Sequence, residues 1–247
     1  MLLPHFMTTL NSKSYRNCAV IIPTYNERKT IVRTLRDVLV QLQGCHIWVI
    51  DDHSPDATGT LVKQFAPSQV TLIVRTGKHG RGSAVWHGMR EVYKHTRYTR
   101  VIEMDADYSH DPHELPALVA ASRDKTIAIG SRYIAGSRIE GWPLTRKILS
   151  AGANTLIRLV LRLPLHDATN GFRCYSRKAL SILLRQRMVS SGFVMLSESA
   201  YVLYKQGYGF TEVPSHFVNR TKGSSNATPR EFIDALFTLL HIRRSYL

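Results

Sequence analysis

The chain has 247 residues, with 33 Lys and Arg against 18 Asp and Glu, giving a formal net charge of +15. At 44% hydrophobic and 21% charged it has the apolar content for one large α/β domain or two small ones, which excludes a disordered or collagen-like chain. The charge is uneven: residues 1–114 carry 14 basic and 11 acidic groups, net +3, whereas residues 115–247 carry 19 and 7, net +12. Such a skew calls for an anionic partner, and nucleic acid, an anionic membrane surface or an anionic substrate each satisfies it.

Cys18, Cys45 and Cys174 are too few and too scattered for a disulfide framework, and no Cys/His spacing matches a zinc site, so a reducing, cytoplasmic setting is expected. No stretch reaches the roughly 18 uncharged apolar residues that a membrane span needs. The longest, Val38 to Ile50, is interrupted by Gln41, Gln43 and Gly44. Residues 1–17, without a basic n-region or a long apolar core, read as a loose leader.

Short β-rich runs at Cys18 to Ile22, His46 to Ile50, Val70 to Val74, Arg100 to Met104 and Thr126 to Gly130 read as buried strands. Between the first two, Ile31, Val32, Leu35, Val38, Leu39 and Leu42 recur at helical spacing, with Asn26 placed as the N-cap. Helices are also expected at Asp56 to Phe65, Ser83 to His95 and Pro112 to Ala121. This alternation predicts a mostly parallel central sheet with helices on both faces, joined by right-handed crossovers. Beyond Gly130 come a basic loop from Ser131 to Trp142, a helix from about Leu144 to Leu163, and a second loop from Leu165 to Cys174. Helices near Lys178 to Arg187 and Met195 to Gln206 and a strand at Phe210 to Pro214 follow. Thr228-Pro229-Arg230-Glu231 is a capping box with Pro at the first helical position, so residues 227–247 form a final helix. Its polar stripe of Glu231, Asp234, Thr238 and His241 is narrow, and Arg243 and Arg244 stand at its end. Docking on its own domain and contact with anionic lipid both fit that pattern.

Ligands of an open α/β sheet bind outside the carboxyl ends of its strands. Three polar clusters stand there: Pro23-Thr24-Tyr25-Asn26-Glu27, Asp51-Asp52-His53-Ser54-Pro55-Asp56 and Asp105-Ala106-Asp107-Tyr108-Ser109-His110. Carboxylates at alternate positions repel unless a cation joins them, and a hard divalent ion that bridges to substrate phosphates is the usual solution. Gly77, Gly80 and Gly82 match neither common phosphate-loop pattern and read as a flexible turn. His53 and His110 read as loop-shaping residues, Trp48 and Trp86 as packing residues, and Trp142 as a candidate for the lipid interface.

In order and spacing these clusters resemble the inverting family-two glycosyltransferases, and most of all the polyprenol (dolichol) phosphate mannosyltransferases. The resemblance continues through Gly130-Ser131-Arg132-Tyr133, Gly141-Trp142-Pro143 with Arg146 and Ser150, Asp167 to Arg173, and Arg220 to Ser225, and so covers residues 18–226. It implies a catalytic domain of GT-A fold. It further implies that Pro23, Tyr25, Glu27, Ile50 and Asp52 hold the nucleotide and that Asp105, Ala106 and Asp107 lie along the sugar diphosphate. Asp107 and Ser109 would ligate Mg2+ or Mn2+, Arg132, Arg146 and Ser150 would bind the acceptor phosphate, and Arg220 would reach the donor diphosphate. Asp105, Asp107 and Arg132 are the implied catalytic residues. The family's last motif ends Gly-x-Ser-Lys, and Asn226 stands where that Lys is expected, with Lys222 nearby. Phe193 to Glu198 also lacks the Gln or Glu that usually follows its aromatic residue, while Glu198 keeps the later acidic position.

The expected reaction is transfer of mannose from GDP-mannose to a polyprenyl or dolichyl monophosphate. A phosphate monoester has a second pKa of about 6, so its oxygen is an anionic nucleophile near neutral pH and needs no general base. A single displacement with inversion follows. Asp167, the one candidate base for a hydroxyl acceptor, is expected to hold its loop instead. UDP-glucose as donor, and a weakly catalytic lipid-phosphate binder, are the alternatives. Nucleic acid is not expected as a partner, because the basic residues surround a small acidic nucleotide site instead of interleaving with aromatics. Arg132, Arg138, Arg146, Lys147 and Arg173 are expected to flank the acceptor on an anionic membrane, where the protein would be peripheral, with or without an anchoring subunit.

Overall fold

The computed structural model describes residues 14–65, 68–77, 80–190, 194–219 and 229–246. Seven strands form the central sheet: β1 (Cys18–Thr24), β2 (His46–Asp51), β3 (Val70–Val74), β4 (Arg100–Glu103), β5 (Thr126–Ser131), β7 (Arg173–Ser176) and β8 (Gly209–Pro214). Their order is β3-β2-β1-β4-β7-β5-β8. Pairing is parallel except at β7, which runs antiparallel to both β4 and β5. The short strands β6 (Arg138–Glu140) and β9 (His216–Val218) pair with each other in a separate parallel ribbon. The mostly parallel sheet expected from the strand and helix alternation is therefore present.

Side chains alternate across the sheet, as the period of two in a strand requires. From β1, Ala19 and Ile21 join one core, with α3 (Arg81–Tyr93), α5 (Leu144–Leu161), α6 (Arg177–Arg185), α7 (Val194–Lys205) and α8 (Pro229–Ser245). Cys18, Val20 and Ile22 join the other, with α1 (Ile31–Gln41), α2 (Thr58–Phe65) and α4 (Leu115–Ala121). Helix α3 lies so close to the sheet that a Cβ on Gly88 would stand 2.7 Å from Ile21 Cγ2, so only glycine fits. The chain adds β2 and β3 on one side of β1 and then β4 on the other, and the crevice at that switch point is where such folds bind ligands.

Three local expectations change. Asn26 does not cap α1: it takes a left-handed turn conformation (φ 62°), and the helix starts at Ile31 after Thr30, four residues later. The loop drawn from Leu165 to Cys174 ends in β7, whose residues Arg-Cys-Tyr-Ser show no apolar alternation yet are all buried. Trp142 is only 8% exposed, so it is an interior residue and not one at a lipid interface. Trp48 packs in the core as expected. The last helix begins at Pro229, and among its described side chains Leu239 and Ile242 are buried while Phe237 is exposed.

Candidate active site

The edge expected to hold the nucleotide is built by hydrogen bonds between loops that follow different strands. Asp51, at the end of β2, accepts the Thr24 hydroxyl (2.8 Å) and both the amide (2.8 Å) and hydroxyl (2.6 Å) of Ser54. The Asn26 N–H donates to Ser54 Oγ (3.0 Å) and the Glu27 N–H to Thr58 Oγ1 (3.0 Å). These bonds fix Pro23, half-exposed Tyr25 and Glu27 beside Ile50 and Asp52. Asp52 is buried and holds Arg75, whose Nε donates to it at 2.7 Å, together with the Gly80 N–H (2.9 Å).

The turn after β4 is held by α1 and by its own histidine. The Thr34 hydroxyl of α1 donates to the Ala106 carbonyl (2.9 Å), and Tyr108, left-handed at φ 61°, donates its hydroxyl to Asp37. Within the turn, the Asp105 N–H donates to His110 Nδ1 (3.0 Å). That bond fixes the tautomer: Nε2 carries the proton and donates to Asn170 Oδ1 at 2.8 Å. Burial lowers the His110 pKa, so the ring is neutral, and it stacks on Phe172. His110 shapes its loop as expected; its reach to Asn170, and from there to the Gly130 carbonyl (2.6 Å), was not legible in the motif.

Asp105 and Asp107 are partly exposed on either side of buried Ala106, and Ser109 is buried, its amide donating to Asp107 Oδ1 (3.0 Å). Among the described residues no three His, Cys, Asp or Glu side chains cluster as a metal cage. Two neighbouring carboxylates with no cysteine or free imidazole nearby suit a hard, oxygen-ligated cation that completes its shell from a diphosphate and water. The three cysteines are buried, with burial raising the Cys45 and Cys174 thiols to about 12, so neither is a thiolate ligand.

Arg81 is the feature that motif matching overlooks. From the first turn of α3 its Nε donates to Asp105 Oδ1 (2.6 Å) and its Nη1 to buried Glu103 (2.7 Å). Burial alone would lower its pKa, but Asp105 and Glu103 outweigh that and raise it, keeping the guanidinium charged. A Cβ on Gly171 would fall 2.0 Å from Arg81 Nη2, so glycine there leaves room for the arginine. Gly80 and Gly82, grouped with Gly77 as a turn, thus stand in a wall of the candidate site, and the signal for it was the arginine between them. The wall borders a cavity of about 610 Å³ between α3 and the loop before α7, lined by Arg75, Arg81, Arg90 and Arg187 with Trp86 and Met195. Glu198, fully buried, holds that loop through the Val189 and Ser190 amides (2.8 and 2.9 Å) and accepts the Tyr246 hydroxyl of the last helix (2.7 Å).

The residues assigned to the acceptor come together around Trp142. Arg146 lies 4.1 Å and Arg132 5.5 Å from its ring, Tyr133 donates to Ser150 Oγ (2.6 Å), and Arg146 Nη1 donates to Asn219 (3.0 Å). Asp167 is fully buried and takes Arg132 Nε (2.7 Å), Nη2 (2.8 Å) and amide (3.0 Å) as well as the Asn170 amide (3.1 Å). Burial alone would raise the Asp167 pKa; the Arg132 charge and hydrogen bonds outweigh it and hold the carboxyl below its ordinary value. A carboxylate so committed anchors its loop. Arg173 departs from expectation: it is 1% exposed and donates to the Asn170, Leu196 and Ala168 carbonyls, so it braces two loops from within and adds nothing to the basic surface. Arg220 and Asn226, with Lys222, lie outside the described residues.

Residues 19–183 match the family described as Glycosyl transferase family 2. The chain is 36% identical over 222 residues to the polyprenol monophosphomannose synthase of Mycolicibacterium smegmatis, covering 88% of this chain and 83% of that one. It is 35% identical over 207 residues to the undecaprenyl-phosphate mannosyltransferase of Micrococcus luteus, covering 83% and 85%. Among solved structures, a mannosyltransferase from Pyrobaculum calidifontis in complex with GDP-Man and Mn2+ superposes with a TM-score of 0.59 at 17% identity, covering 93% of this chain and 73% of that one. Glucosyl-3-phosphoglycerate synthase from Mycobacterium tuberculosis with Mn2+, UDP-glucose and phosphoglyceric acid gives 0.62 at 18% identity, covering 92% and 80%. These likenesses give the GT-A fold, and with the sequence relatives they establish that the chain is a glycosyltransferase and belongs to glycosyl transferase family 2.

Proposed function

We propose that this chain transfers mannose from GDP-mannose to a polyprenyl or dolichyl monophosphate, with inversion at the anomeric carbon, as a peripheral enzyme on a membrane. The observation that carries the reading is a juxtaposition: a carboxylate edge at Asp105 and Asp107 and an arginine pocket at Arg132 and Arg146, joined through the His110–Asn170 bond of 2.8 Å. The names of the two sequence relatives, both mannosyl transfer enzymes for polyprenyl carriers, support it.

In this reading Pro23, Tyr25, Glu27, Ile50 and Asp52 hold the nucleotide, with Arg220 on the diphosphate. Asp107, aided by Ser109 and the neighbouring Asp105, holds Mg2+ or Mn2+, which neutralises the donor diphosphate when bound. Arg81 keeps Asp105 and Glu103 in place, and the Thr34 and His110 bonds keep the turn rigid, so the carboxylates meet the donor with little rearrangement. Arg146, Ser150 and Arg132 bind and orient the acceptor phosphate, whose oxygen attacks the anomeric carbon without a protein base as the bond from that carbon to the diphosphate oxygen breaks and GDP leaves, and Asp167 fixes Arg132 in aim. The cavity beside α3 reaches Asp105 through Arg81 and Asp52 through Arg75, and so borders the donor side of the site.

The test is transfer by purified protein from radiolabelled GDP-mannose and from UDP-glucose to polyprenyl phosphate, with Mn2+, with Mg2+ and with EDTA. Mannolipid formation that needs a divalent ion and prefers GDP-mannose is expected. Glucolipid in its place would move the reading to UDP-glucose, and no transfer from either donor would overturn it.

A further inference from the structure

Helix α5 presents two faces of different chemistry. Its inner side carries Arg146, Ser150 and Asn154 to the arginine pocket and Ile157 and Leu161 to the core. Its outer side exposes Leu144 (71%), Ile148 (61%), Leu149 (45%) and Leu159 (66%). At 3.6 residues per turn these share one stripe with Thr145, Gly152 and Thr155, and no charge falls within it. From Leu144 to Leu159 the stripe runs about 22 Å at 1.5 Å per residue. Arg146 borders it on one side, Lys147 and Arg158 on the other, Arg162 follows its end, and no Asp or Glu occurs from Gly141 to His166. The helix cannot cross a bilayer: no helix among the described residues is long and apolar enough.

We infer that α5 is the membrane-docking element of this enzyme, lying in the plane of an anionic lipid surface with Leu144, Ile148, Leu149 and Leu159 among the acyl chains. The inference rests on the proposed lipid-phosphate acceptor and adds which surface meets the bilayer. A bare apolar stripe edged only by cations fits anionic headgroups, whereas a protein groove of ordinary composition would leave those cations unmatched. The geometry agrees. An interfacial helix sinks about 5–10 Å and is about 10 Å across, so its inner face comes to the level of the headgroups. Arg146 and Ser150 stand on that face, at the depth where the phosphate of a membrane-embedded polyprenyl chain lies, and the lipid need not leave the bilayer to react. The final helix is the weaker candidate, because its Leu239 and Ile242 are spent on the protein core.

The experiment is co-sedimentation with phosphatidylcholine vesicles containing about 30% phosphatidylglycerol, enough to give a negative surface potential. Wild type, Leu144→Glu/Ile148→Glu, Leu144→Trp/Ile148→Trp and Phe237→Glu are compared, each with its melting curve. The Glu pair should lower vesicle partitioning by about tenfold or more while keeping turnover of a water-soluble short prenyl phosphate within about twofold, and the Trp pair should partition at least as well as wild type. Phe237→Glu should change less than the Glu pair. Wild type that does not sediment, a Glu pair that sediments like wild type, or a loss confined to Phe237→Glu would overturn the inference. So would a wild-type dimer in light scattering that the Glu pair dissociates, since a second copy would then cover the stripe. Failure of the proposed reaction reads differently: no prenyl phosphate is glycosylated, while vesicle binding still depends on Leu144 and Ile148.

Discussion

The carboxylate edge and the arginine pocket present opposite electrostatic problems, and Asp105 at the edge keeps more solvent than Arg132 in the pocket. At the edge, Asp105 and Asp107 remain partly exposed, and Arg81 answers Asp105 and Glu103. In the pocket, Arg132 is 8% exposed and paired with a fully buried Asp167, while Arg146 is braced by Trp142 and Asn219. In the proposed reading, the charge that meets a mobile ion stays near water, where exchange is easy. Arg132, which would meet a phosphate in one orientation, is buried and fixed in advance, because a desolvated arginine held by a bidentate carboxylate loses little freedom when its ligand arrives.

Three substitutions test that division. The largest effect is expected at the edge: Asp107→Ala should cut mannosyl transfer by about a thousandfold or more with an unchanged melting temperature, because a partly exposed carboxylate contributes to the reaction and little to folding. If Asp107→Ala kept wild-type turnover, the metal assignment would be wrong. In the pocket the balance reverses. Asp167→Asn leaves a buried guanidinium without its counter-charge and should cost about 3 kcal/mol in urea unfolding at neutral pH. Because the folded Asp167 pKa is depressed, its contribution is present above the unfolded carboxylate pKa and fades as pH falls through the folded value. The gap between wild type and Asp167→Asn should therefore close in acid, and a gap constant down to the lowest pH would refute the pair's role. The smallest effect is expected for Arg146→Ala, which should raise the acceptor KM about tenfold and leave the donor KM and the melting temperature nearly unchanged. A donor KM that rose instead would move Arg146 to the other region.

The clusters at the ends of β1, β2 and β4 were legible because each candidate residue there lies at or just beyond a strand end, and strand ends can be read from apolar runs. Arg81, Asn170 and the buried Arg173 were not. Arg81 lies 24 positions from Asp105 and Asn170 60 from His110, and local pattern carries no information about such pairings. Trp142 was misjudged for the same reason: Gly and Pro on either side mark a surface loop, but two arginines and Phe217 close over its ring. The polar ends of β7 hid a strand that closes the sheet between β4 and β5, because a strand with neighbours on both sides needs burial but not alternation.

The sequence by itself determined the α/β class, the order of most elements, the acidic edge and the skew of charge toward the second half, since these depend on composition and on neighbours within a few residues. Tertiary structure decided how that +15 is distributed. It committed Arg173, Arg132, Arg75 and Arg81 to hydrogen bonds with distant loops and left Arg158 and Arg162 exposed along the apolar side of α5. A charge count cannot distinguish a cation that holds the fold from one that meets a partner. Only the burial of each guanidinium and the identity of the oxygen it faces can.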